Sequence, residues 1–223
     1  MSTLFCFALK EEAVPFHKLA AGYPGISTLI VGIGRQTAEK SIRSFLCNCS
    51  PDRVFTCGFA GGLNPDYNLG DVVFEIADRR DGPLTSNSDG DSWNSSLRNE
   101  LLAAGAKPVK FACADRIATT AMEKWELWNN TGADAVEMES AAIHAVCAER
   151  GIPCITVRVI SDTAHEDLPL DFNALSRPDK GLDFRKLVWA IVRAPGKIGD
   201  LMKLQKRTRF AAEQLASVLK KLV

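Results

Sequence analysis

The feature that most constrains the fold is an alternation of short apolar, often β-branched segments with segments of helical periodicity. The strand-like segments are residues 2–9, 26–34, 52–63, 70–80 and 153–164. Apolar residues recur at helical spacing in residues 36–49, 94–105, 120–130, 182–194 and 198–222. Residues 133–151 begin extended and continue as a helix, which ends at Gly151. Because helices between strands cover both faces of a sheet, the alternation predicts an α/β fold.

The composition is that of an ordinary globular domain. The 223 residues are 46% hydrophobic and 24% charged, and no linker-like segment divides them, so we predict a single domain over residues 1–223. No apolar run approaches the roughly 20 residues that span a bilayer, and the first residues lack the basic leader of a signal peptide. The seven cysteines are expected to be reduced thiols of a cytoplasmic protein. No metal site is predicted, because Cys47 and Cys49 lack a second pair of ligands at matching spacing.

The net charge of zero hides an uneven distribution. Residues 185–221 contain ten basic and two acidic side chains, so this segment carries +8 and the rest of the chain −8. We expect a basic helical tail from about residue 197. It is either a solvated helix face or a surface for an acidic partner, which includes peripheral contact with an anionic membrane. Because the excess of basic over acidic residues is confined to this tail, with little aromatic interleaving, no nucleic-acid partner is predicted.

Glycines and acidic residues cluster where the predicted strands end. In sheets of this kind, ligands bind at the carboxyl ends of the strands. The residues at such positions are Glu12, Gly32, Gly34, Gly58, Gly61, Gly62, Glu137, Glu139, Ser161 and Asp162. The sequence therefore predicts that these segments surround a single cleft.

Several of these segments leave alternatives open. Glu137 and Glu139 stand one residue apart in an apolar stretch, so they must lie at a solvated edge or be paired with a bound group. Gly34 and Arg35 open a helix, a combination that can bind phosphate, although glycine turns without a ligand have the same pattern. Asp162 ends a β-branched strand, where a carboxyl group can deliver a proton or cap the following segment.

Four motifs occur in the order and rough spacing of one enzyme superfamily: ALKEEA, CGFAGGL with a later GDVV, ADAVEMESAAIHAVC and VRVISDTA. From about residue 4 to residue 175 the chain resembles the nucleoside phosphorylase and nucleosidase superfamily, which includes purine nucleoside phosphorylase, uridine phosphorylase and methylthioadenosine/adenosylhomocysteine nucleosidase. The stretch from residue 114 to 142, with the basic C-terminal region, looks most like phosphorylase-type members associated with hopanoid lipid biosynthesis. The resemblance implies a three-layer sandwich with a central mixed, partly closed β-sheet flanked by helices.

The resemblance also implies roles in breaking the N-glycosidic bond of an adenosine-type nucleoside. Glu139 would accept hydrogen bonds from the ribose 2′ and 3′ hydroxyls, and Asp162 would protonate the purine at N7. These groups suit an oxocarbenium-like transition state. The implied substrate-binding residues are Glu137, Met138, Glu139, Ala60, Gly61, Phe59, Ser161 and Phe172. A more specific prediction is that the substrate is a lipid-linked adenosyl compound of hopanoid synthesis.

The nucleophile is left open at this point. Inorganic phosphate would be a co-substrate held by Gly34 and Arg35, and no other cofactor is implied. Water would instead be activated by Glu12, with its neighbour Glu11 as an alternative. Thr56 stands where purine phosphorylases carry an arginine, which puts the usual phosphate site in doubt.

Phe59 is a further departure, at a position where a hydroxyl side chain is common in the family. Arg116 and Lys124 would supply a missing cation, or they belong to a solvated loop and helix. The departures leave room for a second function, a non-catalytic module that binds or senses a nucleoside. A homo-oligomer is expected from the resemblance alone.

Overall fold

The structure is a computed structural model that describes residues 1–76, 88–170, 173 and 198–223. The strands in these residues are β1 (Thr3–Phe7), β2 (Ile26–Ile30), β3 (Arg53–Gly62), β4 (Val72–Ile76), β5 (Lys107–Pro108), β6 (Phe111–Cys113), β7 (Ala135–Glu137) and β8 (Cys154–Asp162). The helices are α1 (Lys10–Ala20), α2 (Arg35–Leu46), α3 (Ser88–Ala104), α4 (Ala121–Thr131), α5 (Ser140–Glu149) and α6 (Ile198–Lys220). Helix α3 begins earlier than predicted. Phe172 and the predicted helix 182–194 lie outside the described residues.

The strands form one mixed sheet whose main path runs in the order β2-β1-β3-β8-β4-β5. Strands β2, β1, β3 and β8 are parallel, and β4 runs antiparallel to β8. A branch leaves the end of β3, where Gly61 and Gly62 pair antiparallel with β7, and β7 also pairs with β6. A mixed sheet flanked by helices confirms the predicted fold class.

Strand β1 shows why this sequence forms the middle of three layers. Phe5 and Phe7 pack on one face with Phe16 of α1, and Leu4 packs on the other face with Ile42 of α2. All five side chains are inaccessible to solvent. A strand buried on both faces reads as a continuous apolar run, as TLFCF does. The first face is covered by α1, α3 and α6, and the second by α2 and α5.

The parallel strands bring distant polar residues to one edge of the sheet. The chain leaves β1 and enters the first turn of α1, which contains Glu12. Strand β3 ends in the glycine-rich residues 58–62, and β8 ends at Asp162. The pairing of β3 with β8 shifts register between Ala60 and Gly61. The carboxyl ends of β1, β3 and β8 therefore lie together, as the sequence pattern predicts.

The basic C-terminal helix α6 is part of the core along its second half. Ala211, Leu215 and Leu219 are completely buried in the cluster that includes Phe5 and Phe16. The basic side chains stay on the outside, where Lys203, Lys206, Arg209 and Lys220 are exposed. No helix within the described ranges combines the length and apolar character needed to cross a bilayer.

The buried face of α6 predicts a clear stability difference. Leu215→Ala should lower the free energy of unfolding by about 2–5 kcal/mol, because it leaves a cavity at a site with no solvent exposure. Met202→Ala on the same helix should change it by less than about 0.5 kcal/mol, since Met202 is 56% exposed. Urea unfolding of both variants checks this. Equal midpoints would show that α6 is a separate tail.

Candidate active site

A fully buried arginine on β8 organises the acidic residues at this edge of the sheet. Arg158 is 1% exposed. Its Nη2 lies 2.7 Å from Glu137 Oε2 and 3.4 Å from Glu139 Oε2. The guanidinium also donates to the Thr56 hydroxyl at 3.1 Å and to the Cys57 carbonyl at 3.2 Å. Its Nε–H is buried and has no acceptor among the described residues.

Sequence reasoning missed Arg158. A signal for it exists in VRVISD, where one charged residue interrupts a β-branched strand that the fold buries. Such a charge is retained in a core only with a charged or hydrogen-bonding partner. That partner is the pair of carboxylates whose placement in an apolar stretch is otherwise unexplained.

Glu137 is held on all sides by protein groups. Its carboxylate accepts hydrogen bonds from the backbone N–H groups of Glu139 (2.9 Å) and Ser140 (2.8 Å), and from the Ser140 hydroxyl (2.5 Å). Burial raises the pKa of Glu137, but Arg158 and Ser140 outweigh that effect, so its pKa lies below the ordinary value. These contacts fix the start of α5. They leave little acceptor capacity for a ligand, so the predicted contact of Glu137 with substrate stays a prediction.

Glu139 has more free capacity than Glu137. Oε1 accepts the backbone N–H of Gly34 at 2.8 Å, and Oε2 is 3.4 Å from Arg158. Burial raises the pKa of Glu139 above its ordinary value, although Arg158 opposes the shift. Gly34 has φ of 82° at the start of α2, a conformation that glycine adopts without strain. The amide that was predicted to bind phosphate is therefore bonded to a carboxylate.

Glu12 is the acid whose environment most favours proton transfer. It is 3% exposed, and its two oxygens accept the backbone N–H groups of Leu9 and Phe59, both at 2.8 Å. Burial raises the pKa of Glu12 to about 7, against the lowering effect of Arg158. Glu11, the alternative, is exposed.

A glycine lets Glu12 approach Arg158. Gly58 has φ of 145°, and a Cβ atom there would lie 2.7 Å from both Glu12 Oε1 and Arg158 Nη1. Any side chain at position 58 would displace one of these groups. Gly58, the first glycine in CGFAGGL, is thus required because Glu12 and Arg158 pack closely against it.

Asp162 lies beside Gly61, at the carboxyl end of β3. It is 9% exposed, and Oδ1 accepts the Ser161 hydroxyl at 2.8 Å. A Cβ atom on Gly61 would lie 3.3 Å from Asp162 Oδ2 and 3.2 Å from Val136 Cγ1. Asp162 and the strand that leads into Glu137 therefore meet at Gly61. The predicted convergence of these two segments is seen in the structure.

The two cations named from the sequence have different environments. Lys124 is completely buried, and its Nζ lies 2.6 Å from Asp162 Oδ2, so the solvated-helix alternative for Lys124 is wrong. Arg116 has 64% side-chain exposure and pairs with Glu123 at 2.7 Å, which is consistent with the solvated-loop alternative. Helical periodicity could not identify Lys124, because its partner lies on a distant strand.

The remaining predicted residues occupy the same edge. Met138 is half-buried between two buried glutamates, and Phe59 is half-buried beside Glu12. Ala60 is buried, and its carbonyl accepts the Ser161 hydroxyl at 3.3 Å. Arg35 has 52% side-chain exposure and lies 4.0 Å from an exposed aspartate.

A helix-covered sheet with a buried acidic site at its carboxyl edge is the architecture of an α/β enzyme. A family model described as the phosphorylase superfamily matches residues 24–193. The chain belongs to this superfamily, which confirms the resemblance and, at the level of the family, the prediction of an enzyme.

Sequence relatives include the 5′-methylthioadenosine/S-adenosylhomocysteine nucleosidases of Shewanella halifaxensis and Shewanella pealeana. Each is 27% identical over 166 residues, which cover 64% of this chain and 70% of the relative. The fold is shared with the same nucleosidase from Campylobacter jejuni, at a TM-score of 0.67 and 17% identity, covering 100% of this chain and 98% of that one. The futalosine hydrolase of Helicobacter pylori has a TM-score of 0.66 and 22% identity, covering 98% and 97%.

The raised pKa of Glu12 predicts a pH-dependent stability difference. Between the ordinary value of 4.5 and about 7, the native state keeps a proton that the unfolded chain has lost, so this group's contribution to stability falls as pH rises. The unfolding free energy of wild type minus that of Glu12→Gln should therefore fall by about 3 kcal/mol across this window.

Denaturant unfolding at several pH values between 4 and 8 measures this difference. Glu11→Gln is the matched control, because Glu11 is exposed one residue away. A wild-type-minus-variant difference that does not change with pH would contradict the environment described for Glu12.

Proposed function

We propose that this protein is a nucleosidase, in which water cleaves the N-glycosidic bond of an adenosine-type nucleoside and the free base is released. The observation that carries the proposal is Glu12. It is a buried carboxyl group with a pKa of about 7, oriented by two backbone amides beside a cation. A general base is most effective when its pKa lies near the working pH.

The reaction uses the acids in sequence along the sheet edge. Glu12 removes a proton from water as the water attacks C1′. Glu139 accepts hydrogen bonds from the ribose 2′ and 3′ hydroxyls. The negative charge of the glutamates stabilises the cationic sugar of the transition state. Asp162, which pairs with Gly61 at the carboxyl end of β3, delivers a proton to N7 of the departing purine.

The contacts of the predicted phosphate ligands favour water over phosphate. The Gly34 amide is bonded to Glu139, and the Thr56 hydroxyl accepts from Arg158. Arg158 is itself paired with two glutamates. A phosphate dianion would have to displace these carboxylates, at the cost of leaving buried charges unpaired. The names of the relatives, nucleosidases and a hydrolase, point the same way.

The finer substrate proposal is a 5′-substituted adenosine. The relatives named above act, by their names, on methylthioadenosine and adenosylhomocysteine. An adenosyl group carried on a hopanoid-type lipid is the sharper version, supported by the exposed basic side chains of α6, which suit an anionic membrane surface. We also propose that the protein is a homo-oligomer, and this rests on the family resemblance alone.

The test is release of free base from a panel that contains adenosine, methylthioadenosine, adenosylhomocysteine and an adenosylated lipid, with and without phosphate. We expect base release that does not depend on phosphate, and ¹⁸O from labelled water at C1′ of the released sugar. Glu12→Gln should lose roughly 100-fold or more in kcat. Strict dependence on phosphate would overturn hydrolysis. Tight binding with no base release under either condition would favour the sensing module.

A second prediction concerns the recognition of ribose by Glu139. Glu139→Gln keeps an acceptor for the Gly34 amide but removes the charge that binds the hydroxyls. A charge-assisted hydrogen bond contributes about 1.5–3 kcal/mol. The preference in kcat/KM for a riboside over its 2′-deoxy analogue should therefore fall by roughly tenfold or more. Steady-state kinetics with both substrates measures this, with Glu11→Gln as control. An unchanged preference would remove Glu139 from ribose recognition.

A further inference from the structure

The buried lysine on α4 forms a complete hydrogen-bond set around the end of β8. Lys124 has no solvent exposure. Its Nζ lies 2.6 Å from Asp162 Oδ2, 2.8 Å from the Thr163 carbonyl and 2.9 Å from the Glu166 carbonyl. An ammonium group has three N–H donors, so each of these acceptors matches one donor. The lysine therefore contacts Asp162 and two backbone carbonyls of the loop that follows the strand.

This arrangement places a cationic proton donor against the Asp162 carboxylate. An ammonium within hydrogen-bond distance favours the ionised form of a carboxylate. A purine that departs as an anion would then meet a negatively charged Asp162. The N–H groups of Lys124 lie directly against the Asp162 carboxylate at this end of the site. Burying a lysine is costly, so a merely space-filling role would be served better by an apolar side chain.

We propose that Lys124 supplies, through Asp162, the proton that the departing purine takes up; this rests on the nucleosidase function proposed above. As the bond from C1′ to N9 breaks, its electron pair moves into the purine and N7 takes a proton from Asp162. Asp162 takes a proton from the Lys124 ammonium, which becomes a neutral amine. The water proton goes to Glu12. After the products leave, Glu12 loses that proton and Lys124 regains one, which restores the starting charges.

The other charged groups around this pair are engaged elsewhere. Four acidic side chains lie on α4 and the loop after β8; Glu126 is exposed, and the other three are Glu123, Glu166 and Asp167. Their donors are, in the same order, Arg116, Arg207 and the backbone N–H of Ala121. His165, in the same loop, is exposed. Among the described residues, Lys124 is the cationic donor in contact with Asp162, whose other oxygen accepts the Ser161 hydroxyl.

The pH dependence of kcat/KM for a purine nucleoside tests this directly. Under the proposal, the alkaline limb of the wild-type profile reports loss of the ammonium proton. In Lys124→Met the remaining proton is the carboxyl group's own, so the limb should move at least one pH unit lower. Lys124→Arg keeps the charge but cannot give up a proton, so it should lose rate on the purine nucleoside as Lys124→Met does. A lower rate in Lys124→Met with an unmoved limb overturns the proposal and leaves Lys124 with a structural role.

A second readout uses 4-nitrophenyl β-D-riboside, whose leaving group needs no proton. The ratio of kcat/KM for the purine nucleoside to that for this probe should fall at least tenfold in Lys124→Met, and also in Asp162→Asn. Equal losses on both substrates overturn the proposal.

The wild type gives a check that does not depend on a variant folding. Its alkaline limb should appear with purine substrates and be absent with the nitrophenyl riboside. The same limb with both substrates overturns this inference alone. A wild type that releases no base from any purine nucleoside overturns the proposed function as well.

Discussion

The buried guanidinium of Arg158 is the interaction on which the site depends. It faces Glu137 and Glu139 at 2.7 and 3.4 Å, and it approaches Glu12 across Gly58. Without this cation, several carboxylates would be buried without compensation. Removing one partner of a buried ion pair typically costs about 3–5 kcal/mol. The sheet can therefore hold this concentration of acid at its edge only because β8 brings an arginine beneath it.

The same constraint explains how the acids divide their work. Glu137 is fully used by protein donors and fixes the turn into α5, while Glu139 and Glu12 keep capacity for a ligand. Asp162 stands apart, paired with a lysine in place of the arginine. The proposed function thus assigns the sugar to the end of the site that contains Arg158 and the base to the end that contains Lys124. This polarity suits a reaction that develops positive charge on the sugar and negative charge on the base.

Much of this arrangement could be predicted from local sequence. Alternating strands and helices predict the sheet, and the acids at strand ends predict the edge where they meet. Arg158 was missed, and the two alternatives for Lys124 stayed open, because their partners Glu137 and Asp162 are distant in sequence and no periodicity encodes such a pairing. The basic charge of α6 drew attention to its solvent face, although Ala211 and Leu215 at i and i+4 indicate a buried one.

The central claim is that one nucleoside spans both ends of this site. The most direct measurement is a crystal structure with a non-hydrolysable adenosine analogue. The account predicts Glu139 within about 2.6–3.2 Å of the ribose hydroxyls, Glu12 facing C1′ and Asp162 nearest to N7. A ligand whose sugar lies away from Glu139, or whose base does not approach Asp162, would contradict it.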